Sequence, residues 1–179
     1  MIVTLRPWTI DDAPALMAAR DGDPEFDKQF GGSGPVTRSE HAAFIVAEMC
    51  VDPTSQVSLA IDVDGRALGN VGVGAIEMRH NTGWMHYWVA AEARGAGLAA
   101  RACASIARHA FDTLGVHRLE LGHRVSNPAS CRVAHRAGFA AEGIERHKLR
   151  YGTERFDVET HARLATDPDP DVELLPILL

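Results

Sequence analysis

The most chemically loaded stretch of this chain is Arg94-Gly95-Ala96-Gly97-Leu98-Ala99. It follows a strand-like run, 84–89, and opens a helix-like run that continues to Leu114. A turn that starts a helix leaves several backbone N–H groups without intrahelical partners. Together with the positive end of the helix dipole, those donors suit a phosphate. Gly95 and Gly97 carry no Cβ and let the backbone approach an anion. Arg94 adds a charged donor at the mouth of the turn. No Lys-Ser/Thr pair follows, so this is not a Walker loop. Ala100 fills the third small position of the looser dinucleotide fingerprint, yet hairpin-like strands stand where that fingerprint needs a βαβ unit. The residues read either as a plain βα turn or as the seat of a phosphorylated cofactor.

A second signature lies further on: Asn127-Pro128-Ala129-Ser130-Cys131-Arg132-Val133-Ala134-His135-Arg136-Ala137-Gly138-Phe139. Asn127 suits an N-cap and Pro128 the first helical position. Gly138 suits the residue just past a short helix. Taken together, the two segments resemble motifs A and B of the GNAT acetyltransferase superfamily. The first is similar to its Q/R-x-x-G-x-G/A acetyl-CoA pyrophosphate loop, the second to its N-x-x-S…G-F helix. Residues 141–144, 156–158 and 162–164 resemble the ending of the RimJ/RimL type, which acetylates protein N-terminal amines and has many small-molecule cousins. The resemblance spans residues 2–166. It implies a single-domain α/β fold with a mixed, mostly antiparallel sheet flanked by helices and a parallel crossover at the cofactor site. It implies acetyl-CoA as co-substrate, bound by Trp88, Val89, Arg94, Gly95, Ala96, Gly97, Leu98, Ala99 and Asn127. The acceptor it implies is a primary amine, either a protein N-terminal α-amine or a small amine such as an aminoglycoside, polyamine or amino acid.

The family's chemistry is direct transfer. The amine must be neutral, the tetrahedral oxyanion needs donors, and the leaving thiolate needs a proton or its equivalent. By resemblance, backbone N–H groups of the strand ending at Val89 serve the oxyanion and the pantetheine arm. The superfamily often has a Tyr four residues before the motif B Gly, where this chain has Ala134. Ser130 takes over in the RimJ/RimL type, so Ser130 is expected to orient or protonate the CoA sulfur; helix-turn capping is its alternative role. Glu77, His86 and His123 are the candidate bases, each on or just after a strand expected to border the acceptor cleft. A histidine acts near neutral pH without a large shift, and a water relay is equally open. Where some relatives carry an acid after motif B, this chain has His147-Lys148-Leu149. Cys131 and His135, four apart on one helix, suit an acyl-cysteine route that direct transfer does not need. The nine histidines form no HxxxH or HExxH group, and no catalytic metal is expected. A GNAT-like domain that senses acyl-CoA without turnover, or supports an assembly, is the reading from a different class.

The elements that must position these residues read in the order β-α-α-β-β-β-α-β-α-β-β. Residues 2–6 alternate like a strand, and Thr9-Ile10-Asp11-Asp12 opens a helix to Arg20. Residues 21–35 read as a loop bordering the acceptor. Its Asp21, Asp23, Glu25 and Asp27 fit a cationic acceptor or a merely solvated run. Thr37-Arg38-Ser39-Glu40 resembles a capping box for a helix to Val51. Strands 57–63 and 68–76 join at the hairpin signal Asp64-Gly65, and 83–89 follows. Helix 98–114, strand 118–124, helix 128–137 and strands near 139–149 and 155–164 complete the series. A helix between two strands implies a parallel crossover. Residues 1–166 read as one domain. Residues 167–171 form a stiff acidic linker. The apolar segment 172–179 is expected to fray, or to dock on its own domain or on a second subunit.

Composition agrees. A chain of 179 residues with 46% apolar content suits one packed domain. Its net charge of −6 argues against a nucleic-acid surface. Three widely spaced cysteines without a CxxC pair argue against both a disulfide framework and a structural zinc site. The start has no signal-peptide pattern, and no run is long enough to span a bilayer. A cytoplasmic protein is expected, and a homodimer by analogy with the RimJ/RimL type.

Overall fold

Alternating apolar residues mark β-structure most clearly at 3–7 and 118–124. A computed structural model describes residues 1–23, 25–26, 34–50 and 55–179. The strands are β1 (Val3–Pro7), β2 (Val57–Val63), β3 (Arg66–Glu77), β4 (Thr82–Val89), β5 (Arg118–Arg124), β6 (Ala140–Tyr151) and β7 (Glu154–Leu164). They form one seven-stranded sheet in the order β1-β2-β3-β4-β5-β7-β6. Every neighbouring pair is antiparallel except β4 with β5. A 3₁₀ turn, Ile10–Asp12, leads into α1 (Ala13–Asp21), and α2 is Arg38–Phe44. The crossover between the parallel strands is α3 (Leu98–Asp112), and α4 (Pro128–Arg136) follows β5. Among the described residues no helix is long and apolar enough to cross a membrane.

The helices cover both faces of the sheet. On one face, Ala102, Ile106 and Ala110 of α3 are fully buried with Val71, Leu119 and Phe139. On the other, Leu16 of α1 and Ile45 pack with Trp8, Ala60 and Trp88. Sandwiched between them, β3 is buried on both faces from Gly69 to Gly74, so its sequence there is valine and glycine except for Asn70, whose side chain accepts from the Trp8 indole N–H. Polar groups fix the helix starts. Thr37 accepts from the Glu40 N–H while Glu40 accepts from the Thr37 N–H, the capping box read from the sequence. That helix leaves α geometry after Phe44 and continues as a π turn, Ile45–Met49. The wider turn still turns both Ile45 and Met49 into the second core. The expected helix end at Val51 lies outside the described residues, as does Asp27 of the acidic loop.

The segment after β7 runs back across α3 to the free edge of β1. Leu175 is 4% exposed within the first core. Its N–H donates to Ser105 Oγ of α3 at 2.7 Å. Leu5 of β1 donates to the Pro176 carbonyl and accepts from the Leu178 N–H, both at 2.8 Å. Arg101 of α3 pairs with Glu173 at 2.7 Å, and Arg108 and Arg163 pair with Asp169. Leu175→Ala is therefore expected to destabilise the fold by about 2–4 kcal/mol. Urea unfolding would read this as a lower midpoint with unchanged slope, and a midpoint equal to the parent's would mean the contact contributes nothing.

Candidate active site

The sheet opens at its parallel seam. β4 and β5 pair only through Thr82, Trp84 and the residue between them, matched to Arg118–Glu120. Beyond these residues the strands part, and a cleft of about 750 Å³ separates 84–89 from 121–124. Backbone groups of β4 on that side have no strand to pair with. Such groups are costly unless another donor or acceptor meets them.

The α3 loop forms one part of the cleft wall. Gly97 is the N-cap of α3 at φ 75°, and Gly95 has φ 84°. This left-handed backbone favours glycine at both positions. Arg101 makes the first helical bond, to the Gly97 carbonyl. The N–H groups before it on α3 have no helical acceptor. Gly95, Gly97, Leu98 and Ala99 all line the cleft, whereas Ala96 is exposed outside it. Arg94 lines the cleft beside the turn, but its charge is already engaged. Its guanidinium pairs with Asp23, and its Nε donates to the Val89 carbonyl at 2.9 Å. Burial would raise the Asp23 carboxyl, but Arg94 and the Glu25 N–H outweigh it and hold the pKa below the usual carboxylate range.

Sequence reasoning missed two cations here. Arg132 and Arg136, one turn apart on α4, both line the cleft. A Cβ built on Gly97 would lie 3.8 Å from an Arg136 guanidinium nitrogen. Among the described residues neither arginine has a carboxylate partner. Their i, i+4 spacing after a capped helix start was visible in the sequence, but not which way that face turns.

Ser130 has a partner that sequence reasoning did not name. Tyr87 Oη lies 2.6 Å from Ser130 Oγ. Burial, foremost, pushes the Tyr87 phenol above its ordinary pKa, so it stays protonated. Asn127 caps α4 by accepting from the Ser130 N–H at 3.1 Å, and all three residues line the cleft. Ala134, at the motif B position where the family often has a Tyr, is itself buried, and the phenol near Ser130 arrives instead from β4.

The three candidate bases separate. His86 lines the cleft from β4 and lies 3.2 Å from Ser58 Oγ. It pairs across the sheet with Gly72, where a Cβ would come within 2.5 Å of the His86 ring, so only glycine leaves room. Burial lowers the His86 pKa from the ordinary histidine value, leaving a neutral ring at pH 7. His123 also borders the cleft, yet it is 6% exposed and its Nε2 faces His161 at 3.0 Å. Glu77 ends β3 at the turn into β4, accepting from the Arg79 and His80 N–H groups, and does not line the cleft. Trp88 turns its side chain into the second core against Trp8 and Phe26, at 5.9 and 4.8 Å between ring centroids, which leaves only its backbone to the cleft. The acidic loop is partly spoken for: Asp23 by Arg94, and Glu25 by Arg124 at 3.5 Å.

Known proteins share this fold. A Bacillus subtilis protein provisionally named ribosomal N-acetyltransferase YdaF is 30% identical over 86 residues, 48% of this chain and 47% of that protein. The chain spans about half the length of the curated relatives it matches. Among solved structures, RimL, an α-N-acetyltransferase of ribosomal protein L7/L12 solved with coenzyme A, superposes with a TM-score of 0.81. That match has 19% identity and covers 92% of this chain and 94% of RimL. The microcin C7 self-immunity acetyltransferase MccE, solved with acetyl-CoA and AMP, superposes with a TM-score of 0.80 at 20% identity, over 91% of this chain and 92% of MccE. The family model described as acetyltransferase (GNAT) domain matches residues 3–140. With that match over most of its length and the opened parallel seam in its sheet, the chain belongs to the GNAT acetyltransferase family.

Proposed function

We propose that this chain is an acetyl-CoA-dependent N-acetyltransferase that moves an acetyl group to a primary amine by direct transfer. The observation that carries the reading is the cleft between β4 and β5, bordered by the α3 amides and by the Tyr87–Ser130 pair. The first-turn amides of α3, with Arg132 and Arg136, take the pyrophosphate. The pantetheine arm lies along β4 where β5 has moved away, and backbone N–H groups of that strand take the thioester oxygen as it becomes an oxyanion.

Alternation along β4 divides the labour. Tyr87 belongs to the sheet face covered by α3 and α4, and His86 to the face covered by α1 and α2. The amine nitrogen attacks the thioester carbonyl from the α1 side, and its proton passes to His86 directly or through water. The C–S bond then breaks, and Ser130, polarised by the Tyr87 hydroxyl, donates to the departing sulfur. A terminal α-amine titrates near about 8 and needs little help to become neutral. The names of YdaF and RimL favour such an acceptor. Thiol release from acetyl-CoA, followed with N-terminal peptides, polyamines and aminoglycosides, tests the reading. Release that never depends on an acceptor would overturn it in favour of an acyl-CoA sensor. A cytoplasmic homodimer completes the proposal by resemblance to the RimJ/RimL type, and a monomeric mass at micromolar concentration would remove that part.

The pH dependence follows from the lowered His86 pKa. The ring is neutral above its depressed pKa and gains a proton below it, so the base is lost as pH falls. The acid limb of kcat/KM should therefore lie below 6.5, the ordinary histidine value. Stability should decline over the same window, because the unfolded chain takes up a proton there that the folded chain refuses. His86→Gln is expected to erase the acid limb and lower kcat. An unchanged limb in that variant would remove His86 from the reaction.

A further inference from the structure

Four side chains of metal-ligating type meet where α4 crosses the sheet: His123 of β5, Cys131 of α4, and Glu159 and His161 of β7. One ligand atom from each lies within 4.8 Å of all the others. Three of them are closer still. His123 Nε2 is 3.0 Å from His161 Nε2. Glu159 Oε2 is 3.2 Å from the first nitrogen and 3.3 Å from the second. Ligands about 2.05 Å from a tetrahedral zinc ion stand roughly 3.3 Å apart, so this triangle has the edge lengths of one face of such a site. Cys131 Sγ, within 4.8 Å of the other three ligand atoms, supplies the fourth corner.

Proton placement points the same way. His123 Nδ1 lies 3.0 Å from the Arg124 carbonyl, which can only accept, so Nδ1 carries the proton of the neutral ring. Its Nε2 therefore turns a lone pair to the centre of the cluster. A backbone carbonyl on the far nitrogen is the arrangement that orients metal-ligating histidines. Glu159 brings a second acceptor to the same point. One N–H on His161 Nε2 cannot serve both well, whereas a divalent cation satisfies all the converging lone pairs at once. His123 and His161 are 6% and 1% exposed, so the centre is shielded from bulk water on the sheet side.

We propose that His123, Cys131, Glu159 and His161 form a tetrahedral binding site for a zinc-class divalent cation. Mixed nitrogen, sulfur and oxygen donors in this geometry suit zinc. Four protein ligands leave no open position, so the role is structural: the ion pins α4 to β5 and β7. It also fixes the residue beside Cys131, which is Ser130, against Tyr87. The ligands come from three elements at spacings that form no motif, so the sequence does not announce the site. The proposal stands independently of acetyl transfer.

The test uses the full chain, loaded with Zn²⁺, desalted and counted by elemental mass spectrometry, with Co²⁺ as a spectroscopic probe. About one equivalent of zinc should be retained, with a higher Tm than the chelator-treated chain. Cobalt should give the intense visible bands of a tetrahedral ion together with a thiolate charge-transfer band. Cys131→Ser, a near-isosteric change at a partly exposed position, should keep the fold, lose that charge-transfer band and weaken binding at least about tenfold. A parent chain that retains only traces of metal and gives no tetrahedral cobalt spectrum overturns the site. A charge-transfer band that survives in Cys131→Ser overturns Cys131 as the fourth ligand.

Discussion

Gly97→Val is expected to raise the Kd for acetyl-CoA by roughly a hundredfold while the protein still folds. Losing two charge-assisted hydrogen bonds of about 1.5 kcal/mol each accounts for a factor of that size. The valine meets no protein wall, since the nearest atom to a Cβ at this position is the Arg136 guanidinium at 3.8 Å. Instead it fills the space that the anion needs and resists the φ of 75° that aims the loop. A β-branched residue in left-handed backbone costs about 1–2 kcal/mol, which is small beside the stability of a domain. Calorimetric titration with acetyl-CoA, beside a thermal melt, separates the two effects. A parent-like Kd would mean that phosphate is not held at this loop.

Ser130→Ala is expected to lower kcat by roughly ten- to a thousandfold with little change in the Kd for acetyl-CoA. In the proposed mechanism the hydroxyl acts on sulfur only as charge develops there, so its help would be confined to the transition state. Tyr87→Phe should lower kcat in the same direction, because it removes the hydroxyl 2.6 Å from Ser130 Oγ. The double variant should lose less than the product of the two single losses, since both remove one hydrogen-bond chain. A kcat within twofold of the parent for Ser130→Ala would reduce the pair to a clamp on the α4 start and leave the thiolate to take its proton from water.

Local signals carried most of the fold. Alternation or turn signals marked the strands, and Thr37, Asn127, Gly95 and Gly97 marked helix starts and the loop that opens α3. Such signals depend on neighbours within a turn or two, which a sequence displays directly. Partnerships across the chain were hidden. Tyr87 and Ser130 meet from β4 and α4, and neither spacing nor residue type links them. Arg94 looked like a phosphate ligand because its place in the motif is fixed by sequence. Its engagement with Asp23 depends on how the α1 side folds over the sheet. His123 read as a candidate base on a cleft strand, yet the β5–β7 register sets it beside Glu159 and His161. Glu77 read as another, but strand pairing with Thr82 left it at the turn into β4.

The parting of β4 and β5 has a mechanical consequence. Three matched residue pairs join two parts of the sheet, β1 to β4 on one side and β5, β7 and β6 on the other, and α3 connects β4 to β5 across the join. A ligand whose own amides lie along β4 acts as a stand-in strand and completes the ladder that the polypeptide leaves broken. Amide hydrogens along the lips of the gap should then exchange quickly in the free protein and slowly in the liganded one, with little change inside either part of the sheet. On the proposed function, stiffness across the seam would come from the ligand, and the free protein should be softest along the line where its proposed substrates meet.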